Sequence, residues 1–276
     1  MAILGIGALL GRYRLEERIG AGGMAEVWRA LDLGLERRVA LKVMSPDTVA
    51  ADATFVPRFL REAKLSAKLE HPHVLPIYDF GQVDDLLFLV MPLLSGGTLR
   101  DRARSGVSPL LAMEWLKSLA GALDYAHGEG VVHRDVKPAN VLFDKASRLF
   151  LADFGLAREA GSASLTVAGT VLGTPVYMSP EQVKGEAASP RSDQYALGVL
   201  AYYLLTGTPP FEANSVFVVM EKTLREEPAL PSAINPVLHR SVDYVLLKVL
   251  EKRPADRFES CEAFVQALER ASRRGT

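Results

Sequence analysis

The sequence predicts an α+β protein with two lobes, in which a small antiparallel β-sheet lobe with one main helix precedes a larger, mostly helical lobe. Residues 13–43 combine loosely alternating apolar positions with a glycine-rich turn, a pattern typical of strands joined by hairpins. Residues 55–69 change to the apolar spacing of an amphipathic helix. Beyond about residue 94 helical spacing prevails, so the two kinds of structure are segregated along the chain.

Each predicted element has a local signal. Apolar runs bounded by turns mark the strands, and the helix at 55–69 tolerates Pro57 because proline fits a first turn. Strands are predicted at 13–19, 25–30, 37–43, 74–80, 86–94, 141–143 and 149–152. The further helices are predicted at 109–127, 193–205, 214–226, 237–251 and 259–271.

The composition is that of a folded, soluble protein. Its 276 residues allow one or two domains, and 49% apolar residues supply a sizeable core. A net charge of −1 argues against binding nucleic acid or membrane by bulk electrostatics. The apolar segment 195–205 is too short to span a bilayer, and 1–11 lacks the basic region of a signal peptide. Cys261, the single cysteine, has no sequence partner for a disulfide or for zinc.

The segment GAGGMAEV, from Gly20 to Val27, is the first candidate motif. It lacks the Gly-Lys-Ser/Thr of a Walker A loop, and it leads into a strand where a dinucleotide-binding loop would open a helix. Glycine clusters usually mark only turns. A glycine-rich hairpin can also fold over phosphates, because no side chains shield its backbone N–H groups.

Lys42, in the apolar strand VALKV, is the second candidate. Because burying an unpaired charge is expensive, Lys42 must reach solvent or find a partner. Glu62 on the following helix is a natural partner, and it would direct the lysine towards a ligand under the glycine hairpin.

Two motifs in the second half make the strongest case. HRDVKPAN at 133–140 is followed, 13 residues after Asn140, by Asp153 of DFG. A short hairpin between them would bring Asn140 and Asp153 together, and their oxygens suit Mg²⁺ that also binds phosphates. Asp135 and Lys137 would project to the same side of an extended loop. One can orient a hydroxyl and the other can neutralise phosphate charge.

These residues together resemble the signature motifs of protein kinases, most closely those of bacterial eukaryotic-like serine/threonine kinases, from about residue 12 to about 268. GTPVYMSPE at 173–181, with Ser179 replacing the usual alanine, and SDQYALG at 192–198 strengthen the resemblance. It implies that Arg257 pairs with Glu181. It also implies a lead-in at 1–11, a catalytic domain at 12–270 with lobes at 12–93 and 94–270, and a tail at 271–276.

The resemblance implies an ATP site with Mg²⁺, or alternatively Mn²⁺, as the metal. Lys42, held by Glu62, would contact the α- and β-phosphates. The adenine would meet the gatekeeper Met91 and the hinge, where Pro92 keeps its carbonyl and Leu94 supplies an N–H. The hairpin residues that would cover the phosphates are Gly20, Ala21, Gly22 and Gly23. The adenine walls would be Ile19, Val27, Ala40, Leu142 and Ala152.

The catalytic roles implied by the resemblance fall on the second pair of motifs. Asp135 would accept or orient the substrate hydroxyl, and Lys137 would stabilise the transferred γ-phosphoryl. Asn140 and Asp153 would hold the metal ion. Thr174, whose hydroxyl would bond to the catalytic Asp and Lys, indicates together with Lys137 that serine and threonine are the acceptors.

Arg134, directly before the catalytic Asp135, indicates control by phosphorylation, because such an arginine often receives an activation-loop phosphate. Thr166 and Thr170 are the predicted autophosphorylation sites, with Thr166 favoured, and a homodimer is the partner expected for that reaction.

Two other functions stay open at this point: a docking pseudokinase and a small-molecule kinase of related fold. The first is disfavoured because the chain retains Lys42, Glu62, Asp135, Asn140 and Asp153. The second is disfavoured because the chain also has the residues that build a platform for a peptide, which are Thr174, the SPE motif at 179–181, Asp193 and Arg257. We expect protein substrates, no nucleic acid, no membrane segment and a cytoplasmic location, with membership of a larger membrane-anchored protein left open.

Overall fold

The computed structural model describes residues 5–22, 25–50, 54–154 and 175–273. The described residues form two compact units. The first comprises those within 1–70 and 75–95, and the second comprises those within 71–74 and 96–276. Within these described ranges, no helix is both long enough and apolar enough to cross a bilayer.

The first unit is built on a six-stranded antiparallel sheet with strand order β1-β2-β3-β4-β6-β5. Its strands are β1 (Leu9–Leu10), β2 (Tyr13–Ala21), β3 (Ala25–Asp32), β4 (Arg37–Met44), β5 (Asp79–Val83) and β6 (Leu86–Pro92). In β4, Val39, Leu41 and Val43 alternate onto one face and join a buried cluster with Tyr13 and Trp28. Alternation therefore places Lys42 on the opposite face.

Two helices complete the first unit, α1 (Pro46–Ala50) and α2 (Phe55–Ser66). The amphipathic pattern predicted α2, which buries Phe55, Phe59, Glu62 and Ala63 along one stripe. The short strand β1 and the single-turn helix α1 carry no periodic signal and were therefore not predicted.

The strand predicted at 74–80 is wrong for most of its length, because β5 spans Asp79–Val83. Pro76 has no N–H to donate to a ladder, and the apolar run before it does not join the sheet. Val74 instead forms an isolated bridge to Leu151 within the second unit. Strand β5 contains Gly81 and Gln82, so the pattern of apolar residues did not predict it.

The second unit is mostly helical. Its helices are α3 (Leu99–Ala103), α4 (Pro109–Gly128), α5 (Pro180–Val183), α6 (Pro190–Thr206), α7 (Val216–Arg225), α8 (Pro231–Ile234), α9 (Arg240–Val249) and α10 (Cys261–Ser272). The five longer helices lie where the apolar spacing predicts them, apart from a few residues at their ends. The short helices α3, α5 and α8 were not predicted, because one turn is too short for a periodic signal.

Helix α6 lies at the centre of this unit and is buried almost all round. Ser189 caps its first turn by accepting a hydrogen bond from the Arg191 backbone, and Gly207 ends it with a left-handed φ of 82°. At Gly198 an added Cβ would lie 2.5 Å from Val249 Cγ1, so only glycine fits against helix α9.

The hairpin of β7 (Val141–Phe143) and β8 (Leu149–Leu151) confirms the two short extended segments predicted in the second unit. Gly96 packs directly on this hairpin, and its N–H donates to the Phe143 carbonyl at 2.9 Å. A Cβ at Gly96 would lie 2.3 Å from the Asp144 carbonyl oxygen, so the close approach requires glycine.

Candidate active site

The glycine-rich segment forms the predicted hairpin between β2 and β3. Gly20 pairs with Val27, Ala21 pairs with Glu26, and the Gly22 N–H donates to the Ala25 carbonyl at 2.9 Å. Neither Gly20 nor Gly22 has a positive φ. A Cβ at Gly20 would lie 3.6 Å from that of Val27, an ordinary contact. Neither backbone conformation nor packing therefore requires glycine at these two positions. Close approach of a ligand to the backbone would explain why glycine is present.

The sheet register places several predicted residues on one face. Lys42 pairs with Val27 on one side and Leu89 on the other, and Ala40 pairs with Met91. Directly opposed residues share a face in an antiparallel sheet, so these side chains line the face opposite the Tyr13–Trp28 cluster. Lys42 is half-buried there.

Glu62, the predicted partner of Lys42, is buried on α2 and receives a hydrogen bond from Arg61 Nη2 at 3.0 Å. A buried carboxylate needs such a cationic partner. The pairing of Lys42 with Glu62 remains a prediction.

The predicted adenine residues differ in burial. Ile19 is 46% exposed, whereas Met91 and Ala40 are buried. Pro92 ends β6, and Leu94 follows it in a half-buried loop. In the second unit, Leu142 is half-buried on β7. Ala152, just beyond β8, is buried.

The loop at 133–140 brings three of the predicted side chains into direct contact. Lys137 Nζ donates to Asp135 Oδ2 at 2.6 Å, and Asn140 Nδ2 donates to the same oxygen at 3.0 Å. Asn140 Nδ2 also donates to the Asp135 backbone carbonyl at 2.8 Å. Lys137 has an extended backbone, as its spacing from Asp135 requires. Both donors contact Oδ2, and no described residue donates to Asp135 Oδ1.

The hairpin brings Asn140 and Asp153 to its open end, as predicted. Val141 pairs with Leu151, and the Ala152 N–H donates to the Asn140 carbonyl at 2.8 Å. Asp153 follows directly with a left-handed φ of 68°, a conformation that aspartate tolerates better than most residues.

Asp193 anchors the backbone of the loop at 133–140, a role that was not predicted from the sequence. Its carboxylate accepts hydrogen bonds from the backbone N–H groups of His133 and Arg134, both at 2.7 Å. Arg134 has a φ of 71°, so this tether fixes a strained turn directly before Asp135. Asp193 is 1% exposed in the first turn of α6. The sequence does show a carboxylate at the start of an apolar helix, which indicates that Asp193 needs a partner. It does not show which partner, because the backbone groups that Asp193 binds lie about 60 residues away.

His127 forms a second layer beneath this tether. Its Nε2 lies 2.8 Å from Asp193 Oδ2 and its Nδ1 lies 3.7 Å from Asp124 Oδ1. Burial disfavours the imidazolium, but the neighbouring carboxylates of Asp124 and Asp193 outweigh the effect of burial and raise the pKa of His127 to about 9. At neutral pH His127 is therefore a buried cation between two carboxylates.

Cys261 joins this cluster, although its sequence offered no partner. Ligand-type atoms of Asp124, His127 and Cys261 lie within 4.8 Å of one another. The Asp124 carboxylate already accepts hydrogen bonds from the backbone N–H groups of Cys261 and Glu262, and these bonds stabilise the first turn of α10. The thiol is buried, and burial together with Asp124 raises its pKa well above the ordinary value. These contacts give the cluster a structural role.

The pairing of Arg257 with Glu181 is confirmed. Two parallel hydrogen bonds of 2.8 Å join Nη1 and Nη2 to the two carboxylate oxygens, and both residues are buried. Ser192 donates to Glu181 Oε1 at 2.8 Å. Ser179 has its own function here, because its hydroxyl and Gln182 form a capping box at the start of α5.

Several predicted residues lie outside the described parts of the chain. These are Gly23 of the hairpin, Thr174, and the predicted phosphorylation sites Thr166 and Thr170.

Comparison with known proteins identifies the fold. The family model for the protein kinase domain matches residues 13–268. The chain belongs to the protein kinase family. The predicted fold class and the resemblance to bacterial serine/threonine kinases are both confirmed.

Two curated relatives of this kinase domain are serine/threonine-protein kinases. PrkC of Bacillus subtilis is 39% identical over 254 residues, and PknB of Mycobacterium tuberculosis is 40% identical over 257 residues. The alignments cover 91% and 90% of this chain but only 39% and 41% of the relatives. The crystal structure of the Mycobacterium tuberculosis PknI kinase domain superposes with a TM-score of 0.78 at 34% identity, covering 97% of this chain and 99% of that one.

Proposed function

We propose that this kinase domain transfers the γ-phosphoryl group of ATP to serine and threonine hydroxyls of proteins. The contact of Asp135 with Lys137 and Asn140 is the observation that carries this proposal. Both donors occupy Asp135 Oδ2, which leaves Oδ1 to accept the hydrogen bond of the substrate hydroxyl. Lys137 would place its charge beside the transferred phosphoryl, and Thr174 would help to position the acceptor. Phosphoryl transfer depends mainly on such positioning and charge neutralisation.

Asn140 and Asp153 suit a divalent metal ion. The hydrogen bonds of the Asn140 side chain use Nδ2, so its Oδ1 remains to act as a ligand together with the carboxylate of Asp153, which follows Ala152 at the open end of the hairpin. When bound, the ion would offset phosphate charge. We propose Mg²⁺, with Mn²⁺ as the alternative; titration of each metal against transfer rate distinguishes them.

For ATP we propose the remaining predicted set. Lys42, oriented by Glu62, would contact the α- and β-phosphates, and the Leu94 N–H would hold the adenine. The residues proposed to surround the nucleotide are Ile19, Gly20, Ala21, Gly22, Gly23, Val27, Ala40, Met91, Pro92 and Leu142. A catalytic domain at 12–270, with lobes at 12–93 and 94–270, remains the proposed organisation. A cytoplasmic location, where ATP is available, belongs to the same proposal.

The decisive experiment measures transfer of radiolabelled phosphate from ATP and Mg²⁺ to a generic acceptor such as myelin basic protein. We expect Asp135→Asn to lower kcat by about 10²–10⁴-fold. Asp84→Asn is the matched control, because Asp84 occupies an exposed turn where asparagine is equally suited. Absence of transfer by the wild-type chain would instead favour a docking pseudokinase. Transfer to small molecules alone would favour a small-molecule kinase of related fold.

Autophosphorylation at Thr166 and Thr170 in a transient homodimer is part of this proposal. Mass spectrometry after incubation with ATP and Mg²⁺ should find phosphate at one or both residues. Phosphate only elsewhere, or unchanged activity of the Thr166→Ala/Thr170→Ala variant, contradicts it.

A further inference from the structure

A small cavity adjoins the catalytic loop within the second unit. Its volume is about 230 Å³, and its lining includes Arg100 of α3, Lys137, Tyr177 and Tyr203 of α6. This is smaller than sites for drug-sized ligands, which measure roughly 300–1,000 Å³, and it suits a single amino-acid side chain. Lys137 lines the cavity and also contacts Asp135, so the cavity lies close to the proposed position of the substrate hydroxyl.

The charge of the cavity is positive. Arg100 and Lys137 are its charged residues, and no carboxylate of a described residue lines it. Lys137 is already paired with Asp135 at 2.6 Å. Arg100 forms no ion pair with any carboxylate in the described chain, so its guanidinium is the cation available to a ligand. A planar guanidinium binds carboxylate or phosphate through two parallel hydrogen bonds.

The tyrosines add neutral donors beside this cation. Burial and the neighbouring Tyr203 raise the pKa of Tyr177, while the charge of Arg100 acts in the opposite direction. Arg100 is therefore close enough to Tyr177 for their charges to interact. A phenol that stays protonated can donate a hydrogen bond to an anion but cannot repel it.

We infer that this cavity binds an anionic side chain of the acceptor protein, a carboxylate or a phosphate, within a few residues of the phosphorylated serine or threonine, and that Arg100 selects it. The inference rests on the proposed function. A basic side chain entering the same cavity would meet the Arg100 guanidinium, and no carboxylate of a described residue lines the cavity to offset that charge, so the cavity discriminates against it as well.

The test uses threonine peptides in a neutral background, with Glu, Gln, Lys or phosphoserine placed in turn at each of the flanking positions. At one position we expect kcat/KM for Glu to exceed that for Gln by roughly three- to tenfold, with Lys the poorest. Arg100→Glu should reverse the order of Glu and Lys at that position. A gain for phosphoserine well beyond that for Glu assigns the cavity to phosphate, and an equal gain assigns it to carboxylate.

Arg104→Glu is the matched control, since it changes the same charge directly after the same short helix without lining the cavity. It should keep the wild-type order. Equal turnover of all peptides, or the same reversal in Arg104→Glu, overturns the inference while leaving the kinase function intact. No transfer to any peptide by the wild type overturns both. Arg100→Gln serves if Arg100→Glu does not fold, and it should abolish the preference without reversing it.

Discussion

The imidazole of His127 and the carboxylate of Asp193 are joined by a 2.8 Å hydrogen bond next to the loop at 133–140. The same carboxylate holds the backbone of His133 and Arg134, so the bond links α4 to the strained turn before Asp135. The geometry of Asp135 thus depends on the buried ion pair between His127 and Asp193, which Asp135 does not itself contact.

The charge of His127 predicts a pH-dependent stability. The pKa of His127 is raised from an ordinary value of 6.5 to about 9 in the folded protein. Its contribution is therefore complete below about pH 6.5 and disappears as the pH rises through about 9. We expect the difference in free energy of unfolding between wild type and His127→Gln to shrink by on the order of 2–3 kcal/mol over that range.

Urea titrations at half-unit pH steps measure this difference. Lys252, whose pKa is lowered by burial to about 8, also titrates in this region, and subtracting the curve of the variant removes its contribution, which both proteins share. A difference that stays constant from pH 6 to 9.5 contradicts a charged His127.

The Glu181–Arg257 pair predicts strong destabilisation when one partner is removed. Each residue is only 4% exposed, so the remaining charge would be buried without compensation. We expect Glu181→Ala and Arg257→Ala each to lower the free energy of unfolding by about 3–5 kcal/mol. Chemical denaturation of both single variants and the double variant measures the coupling. If the double variant costs the sum of the two single losses, the residues do not act as a pair.

Two glycine substitutions should separate binding from folding. Gly22→Ala introduces a Cβ that makes only an ordinary contact, so the melting temperature should stay level or rise while the KM for ATP rises several-fold. Gly198→Ala drives a methyl into Val249 and should cost about 1–3 kcal/mol of stability. Thermal denaturation with ATP kinetics reports both. A melting temperature that falls equally in the two variants would contradict a ligand-related reason for Gly22.

Ser179 predicts a smaller, local effect. The usual family residue at this position is alanine, which cannot cap α5. We expect Ser179→Ala to cost about 1 kcal/mol, because the Gln182 N–H loses its acceptor. Thermal denaturation checks this value against Ser179→Thr, which keeps the hydroxyl and should recover part of the loss.

Local signals predicted the larger part of the fold. The spacing at 55–69 predicted α2, and the two short apolar runs predicted the β7–β8 hairpin that brings Asn140 next to Asp153. The contact between Asp135 and Lys137 was also predictable, since two residues of extended chain determine it.

Contacts between distant segments were not predictable in the same way. His127 and Asp193 are 66 residues apart, and neither has a neighbour in sequence that shows its partner. The strand Asp79–Val83 was missed because its residues are mostly polar or glycine, and the sheet pairing that stabilises it comes from β6. Long-range pairing overrode local propensity there.

The burial of Cys261 has a practical consequence. Alkylating reagents attack thiolates, and this thiol is both inaccessible and protonated at neutral pH. It is also the only cysteine in the sequence. A cysteine introduced at any exposed position would therefore be the single reactive thiol of the folded kinase, so a fluorophore or spin label can be attached at one chosen site without altering the native sequence elsewhere.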